Sequence, residues 1–597
     1  MLSATAGEAR AAIDCSTVNP GGVIWGSAGL GSTGATGTVK VNPGITCVAM
    51  GNTGYSPSGT TDLPLGNIDG TTGCEQVVNV QGTLSFPSTF TYPADSTLGV
   101  ECIRGSFSMV GSNYALVAAN ALADVGDDIL IQNNPGLLAI TFNGLVTLGT
   151  AGTSNDISIK SNASLGDAQF NALTLIFGKL EIISNGTWGD LTGFGALTAI
   201  GNSLEISNND MLDLLQGEFP ALTVIDGSLK VSGNDIMTTL ALPALGGISA
   251  RLTSPGLTIN ANDLMVLDLS GLVVMPRSVA ISSEPNLMDA GITPWALGAI
   301  GGSLTFSNNL SLDNLNAFAS IATIAGDLNI DNNDALTSIT GIASITALGG
   351  ALLVRGNSSL TAVTFPTITT ATRIELRDND LMATLGFPSL LTLTTELRVH
   401  GLIALPDIGI TTTGFPVLAN LGTQFYMHAT SNLTGLSFPS LAATGWRFWL
   451  SSNDDLAVLD FPALATIGGE LHLDDNPALT AVGGPLVGDF GFPALVSTEG
   501  KIFVENNTTL GYFRLPSLTT LSTAATTVAS PISVRFNTAM TRFVIDNAAD
   551  LAGICSGPPL VFNAASVSTI TGKANLGACT DLASLAGCLG GTATCVP

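Results

Sequence analysis

"GGELHLDDNPALTAV", residues 468–482, alternates Glu470, His472 and Asp474 with Leu471 and Leu473. In an extended strand that alternation puts the leucines on one face and an acid–imidazole–acid row on the other. Whether the row is a site or an ordinary polar face depends on how often the pattern recurs. "GNSLEISNNDMLDLL" at 201–215, "GSLKVSGNDIMTTL" at 227–240, "GGSLTFSNNLSLDNL" at 301–315 and "GDLNIDNNDALTSI" at 326–339 obey the same formula. A Gly precedes apolar-x-apolar, two variable residues follow, then an Asn, then an apolar residue three further on. The Asn recurs at 134, 162, 185, 209, 234, 262, 309, 333, 357, 379, 432, 453, 476, 507 and 537, and Glu284 and Leu402 hold two equivalent places. Steps of 21 to 31 residues are those of a solenoid coil.

The parts of one coil follow from the formula. Apolar residues five and three before the Asn, such as Leu204 and Ile206 or Leu471 and Leu473, point inward from a short strand. The Asn turns the chain, and its amide can serve backbone groups that a corner leaves unpaired. A second apolar layer comes from "FPAL" at 219–222 and 461–464 and "FPSL" at 387–390 and 438–441. Proline there marks a bend or an edge. One coil cannot bury its own apolar face, so stacking must bury it.

Composition narrows the function classes. Charged residues are 11% of the 597, against roughly 25% in ordinary soluble proteins. Eighteen Lys and Arg face 45 Asp and Glu, a net charge of −27. That sign repels nucleic-acid phosphates and anionic lipid, so neither is an expected partner. No apolar run of ~20 residues suggests a membrane span. The cysteines fall in two groups of four, Cys15, Cys47, Cys74 and Cys102 near the start and Cys555, Cys579, Cys588 and Cys595 near the end. Two even groups flanking a cysteine-free middle read as disulfide-stapled caps in an oxidising, extracellular compartment, with the pairing within each group open. The opening "MLSATAGEARAAIDC" has no apolar signal core, so for a secreted chain an export signal is expected to have been trimmed or the gene start to lie elsewhere.

Gly-x-Leu-x-Ile-x-x-Asn-x-x-Leu followed by Phe-Pro-x-Leu-x-x-Ile resembles the receptor L-domain repeat over roughly residues 81 to 550. The family occurs in growth-factor receptor ectodomains and fungal cell-wall proteins. The resemblance implies a right-handed, leucine-rich-repeat-like β-helix. No cysteine-rich module interrupts the repeats and no kinase follows, which departs from the receptor pattern. The expected fold is therefore all-β, a parallel β-solenoid of roughly 17–19 coils. Residues 1–80, Gly/Thr-rich, read as an N-terminal cap or small β-module, 81–550 as the solenoid, and 551–597 as the C-terminal cap.

With the register set by the Asn, outward positions lie six, four and two residues before it. In the coils ending at 209 to 309 they are largely Ser, as at Ser203, Ser228, Ser278 and Ser303 and again at Ser207, Ser232, Ser282 and Ser307. The coils ending at 379, 402, 432, 453, 476 and 507 differ. Their rows are Arg373, Glu396, Tyr426, Arg447, Glu470, Lys501; then Glu375, Arg398, His428, Trp449, His472, Phe503; then Arg377, His400, Thr430, Ser451, Asp474, Glu505. All three histidines of the chain lie in this grid.

Alternating charges, Glu375 beside Arg398 and Arg373 beside Glu396, would neutralise one another across strands. Tyr426, Trp449 and Phe503 beside them read as a contact surface. The expected binding residues are Arg373, Arg377, Arg398, His400, Tyr426, His428, Arg447, Trp449, Glu470, His472, Asp474 and Phe503. Glu470 and Asp474 form a possible acid pair, but no enzyme fingerprint surrounds them, so no catalytic role is assigned. A metal at His400 and His428 would need further ligands, so neither metal nor cofactor is expected. Of the N-x-[ST] sequons, Asn162, Asn185, Asn309, Asn357, Asn432 and Asn507 coincide with the ladder. Asn506 is then the one off it.

The chain reads as an extracellular, non-enzymatic structural or adhesive solenoid, a subunit of a filament, sheath or wall layer. Its expected partners are copies of itself or other extracellular structural proteins, with glycan a further option. The alternative is an ectodomain that binds a protein or glycan through the charged, aromatic face.

Overall fold

The computed structural model describes most of residues 106–521, together with short strands on either side of that span. Every cysteine except Cys102, which falls in the short strand Cys102–Ile103, lies outside the described residues. So do nearly all of both expected caps. Thr38–Val41 pairs antiparallel with Thr61–Pro64 and with Leu84–Phe86.

The fold is a parallel β-solenoid, and its coils are leucine-rich. The chain divides into two compact units, Met1–Leu297 and Gly298–Pro597. In the first unit the strands Phe107–Val110, Ile129–Gln132, Ile157–Lys160, Leu180–Ile183, Leu204–Ser207, Leu229–Ser232, Leu257–Asn260 and Val279–Ser282 pair in chain order. In the second the series runs from Leu304–Ser307 to Ile532–Arg535 in the same way. Two shorter strands complete many coils, as Val458–Asp460 and Thr466–Ile467 do after Phe448–Ser451. Among the described residues the helical elements are three single 3-10 turns.

The inward positions make the core. Leu471 and Leu473 are fully buried, as are Leu204 and Ile206. The phenylalanines of the second apolar layer, most of them in the Phe-Pro motif, stack coil upon coil. Phe142, Phe170, Phe194 and Phe219 do so in the first unit at 4.8, 5.1 and 5.6 Å between centroids. Phe387, Phe415, Phe438, Phe461 and Phe492 do so in the second at 5.0 to 5.5 Å. Each such offset stack adds ~0.5–1.5 kcal/mol beyond the area it buries.

The asparagines form a hydrogen-bonded thread along the corner. Asn453 donates from its backbone N and its Nδ2 to Asn476 Oδ1, at 3.2 and 2.9 Å. Asn476 donates likewise to Asn507 Oδ1, at 3.0 and 3.3 Å, and its Nδ2 also reaches the carbonyls of Leu450 and Asp474. The residue before each ladder position is held at positive φ, 55° at Asn208, 56° at Ser184 and 54° at Asp475. The left-handed residue swings the chain so that the next side chain points into the corner.

That marker corrects one coil. Ala429 has φ 54°, so the ladder residue is Thr430, which is fully buried, and not Asn432. Thr430 donates from its N (3.3 Å) and its hydroxyl to Asn453 Oδ1. Asn432 lies two residues further on and is exposed, so its sequon, like that of Asn506, is off the ladder. Ser112 opens the thread in the same manner, donating through its hydroxyl to Asn134 Oδ1 at 2.7 Å.

Candidate functional site

The second unit carries the candidate face on the parallel strands Leu352–Arg355, Ile374–Arg377, Leu397–His400, Phe425–His428, Phe448–Ser451, Leu471–Asp474 and Ile502–Glu505. Alternation aims the expected site residues outward, and moving one coil by two residues preserves facing because the period is two. The rows do change. Tyr426 lies opposite Arg398 and Trp449, and His428 lies opposite His400 and Ser451. Trp449 therefore sits between Tyr426 and His472, not between two histidines, and Thr430 leaves the face.

The middle row is a continuous run of π systems. The Arg398 guanidinium carbon lies 4.9 Å from the Tyr426 ring centroid. Tyr426 meets Trp449 edge to face at 5.6 Å. Trp449 stacks on His472 at 5.0 Å, and His472 on Phe503 at 4.2 Å. Strand spacing of ~4.8 Å leaves room for one ring per coil, so aromatic residues in register have little choice but to stack. Trp449, His472 and Phe503 turn their faces to one another, and Tyr426 closes the row edge to face.

His472 is enclosed on every side. Nε2 is 3.0 Å from Glu470 Oε2, and Nδ1 is 3.4 Å from Asp474 Oδ2. Glu470 also holds Arg447 Nε at 3.0 Å. Both imidazole nitrogens face carboxylates and both ring faces are covered, so neither nitrogen opens toward a substrate. Burial raises the Asp474 pKa, against the pull of His472. The acid–imidazole–acid row is thus a locked structural cluster, which argues against a general-base role.

The charges are arranged partly as the sequence suggests. Arg373 bonds Glu396 at 3.2 Å. Glu375 turns away from Arg398 and instead faces Arg373 at 3.4 Å and Arg355 at 3.9 Å. Arg355 is gripped in turn by both oxygens of Asp331, each at 2.8 Å, and Arg377 by Asp378 at 2.8 Å. Arg398 consequently has no acidic partner among the described residues. Arg355 and Asp331 extend the face beyond the residues expected from sequence; the Asp–Arg juxtaposition was visible once rows were aligned one coil earlier.

The outer row holds the two remaining histidines. Their rings stack at 5.2 Å. His428 Nδ1 donates to the Ser451 carbonyl at 3.1 Å, and His400 Nδ1 lies 3.4 Å from Asp378 Oδ1. Among the described residues no three His, Cys, Asp or Glu side chains gather to enclose a metal ion. Trp446, next to the middle row, is 47% exposed and carries the Arg447 guanidinium carbon 4.4 Å from its ring centroid.

No family model and no curated protein matches the chain. One solved structure it is similar to is the crystal structure of the mouse RP105/MD-1 complex, at 14% identity over 81% of this chain and 90% of that one, with a TM-score of 0.19. Likeness at that level carries no argument about fold or function.

Proposed function

We propose that this chain is an extracellular, non-enzymatic structural or adhesive solenoid that assembles through the Tyr426–Trp449–His472–Phe503 face. The carrying observation is the aromatic row itself, partly exposed and flanked by charges that are mostly paired with one another. A central aromatic bordered by arginine is the make-up of an interface hot spot. Ring faces spent on neighbouring rings disfavour a sugar stacked on the row, so a protein surface is the better occupant.

Trp449→Ala combined with Arg447→Ala tests the proposal by light scattering and electron microscopy of concentrated protein. Assembly should weaken by about 2 kcal/mol or more while circular dichroism shows the variant still folded. Ser232→Ala, on the hydroxyl-rich rows of the first unit, should alter neither. A double variant that assembles like the wild type would sink the proposal.

A further inference from the structure

Two surfaces, one in each unit, complement each other in charge. On the second unit, Arg398 is a guanidinium with no acidic partner among the described residues, whereas Arg355, Arg373, Arg377 and Arg447 all have one. It lies beside Tyr426 on the next coil, with Trp449 one coil further along the row. On the first unit, the residues that follow the ladder at Asn209 and Asn234 are Asp210 and Asp235, both exposed. Neither has an ionic or hydrogen-bond partner among the described residues. The two ladder asparagines are hydrogen-bonded to each other, so these acids sit on adjacent coils whose backbones are about 4.8 Å apart, a like-charge neighbourhood that is unfavourable by itself. Directly after them come Met211 and Ile236, 53% and 43% exposed.

We infer that the Arg398–Tyr426–Trp449 surface of one copy docks on the Asp210–Met211/Asp235–Ile236 edge of a second copy. This deepens the assembly reading and rests on it. A guanidinium fork can bridge two carboxylates and relieve their repulsion. Methionine and isoleucine meet the aromatic rings, a favourable contact for sulfur in particular. The charge sign also selects the partner: a chain with 45 acids and 18 bases offers carboxylates in excess and few guanidinium groups to receive them. Because the two surfaces are different, the contact is heterologous and propagates from copy to copy as a ring or a filament.

A charge-swap experiment decides it. Arg398→Glu alone should raise the concentration needed for assembly by about tenfold or more, and Asp210→Lys with Asp235→Lys should do the same. In each of these proteins the swapped surface meets an unswapped one of like charge. An equimolar mixture of the two should assemble again, because every face then finds an edge of opposite charge. Circular dichroism and melts confirm that each variant is folded. Either variant assembling like the wild type, or a folded mixture that stays dispersed, overturns the inference. If Trp449→Ala disperses the protein while Arg398→Glu does not, the face is retained and only this partner edge is wrong. A wild type that stays monomeric at every concentration ends both proposals.

Discussion

The imidazoles of His400 and His428 stack across neighbouring strands, ring centroids 5.2 Å apart. Burial lowers the His400 pKa below its ordinary 6.5; Asp378 pulls the other way, and His428 and Arg377 add to the lowering. The folded chain thus binds this proton less readily than the unfolded chain. Above the unfolded value both states are neutral and the effect is silent. As pH falls through 6.5 toward the folded value, the unfolded state takes up the proton first and stability declines. Melts between about pH 7.5 and 5.5 should show a shallower decline for His400→Gln than for the wild type. Equal slopes would count against the assignment.

Asn476→Ala removes the acceptor for Asn453 and the donor to Leu450, Asp474 and Asn507. The orphaned corner groups are buried, so the expected loss is ~1–3 kcal/mol in denaturant melts. Asp474→Ala, on the outward face of the same strand, gives up only a 3.4 Å contact with His472 and should cost less, about 1 kcal/mol or below.

Thr430→Val should cost about 1–2 kcal/mol, because Asn453 Oδ1 loses the buried hydroxyl that donates to it. Asn432→Ala should lie within ~0.5 kcal/mol. The reverse ranking would restore Asn432 to the ladder and move Tyr426 and His428 back one row.

Glu284 occupies a ladder position as a fully buried carboxyl. It accepts from Asn262 N and Nδ2 and from Leu264 N, yet burial pushes its pKa up to about 7. A raised carboxyl pKa gives stability that is complete below the unfolded value of 4.5 and is lost as pH rises through about 7. Glu284→Gln should therefore stabilise by on the order of 2–3 kcal/mol near pH 8 and by little near pH 4.5. A gain of the same size at both pH values would assign the effect to packing, not ionisation.

The coil was legible because its constraints are repeated: two inward apolar residues, a Phe of the second layer, and a polar corner. The slip at Thr430 came from reading the corner by residue type. Asparagine at 432 matched the pattern, while a threonine hydroxyl does the same work two residues earlier. The dependable marker, a left-handed residue before the corner, is nearly invisible in sequence, since Ser184, Asn208, Ala429, Asp475 and Phe536 all adopt it. The outward direction of the site residues survived the slip because facing has a period of two. Charge pairing did not: Arg398 does lie opposite Glu375, but a long side chain chooses among several neighbours, and Glu375 is drawn to Arg373 and Arg355.

Gly445 shows where sequence and structure meet more tightly. A Cβ there would run into the carbonyl of Gly422 on the adjacent coil. The glycine ahead of the strand is required by how closely the coils approach.

Leu402 has a mechanical meaning. In the second unit the thread runs from Asn309 through Asn333 and Asn357 to Asn379, and starts afresh at Thr430. Leu402 is buried in the interval and can neither give nor take a side-chain hydrogen bond. The strands stay paired across it, but the corner there has no rivet. Pulled along the stack, the unit should part first at this coil, as a seam parts where stitches were skipped, because the fewest bonds resist there. Arg398 and His400 sit on that strand. In the proposed assembly, strain carried along the stack would then be felt earliest beside the proposed docking surface.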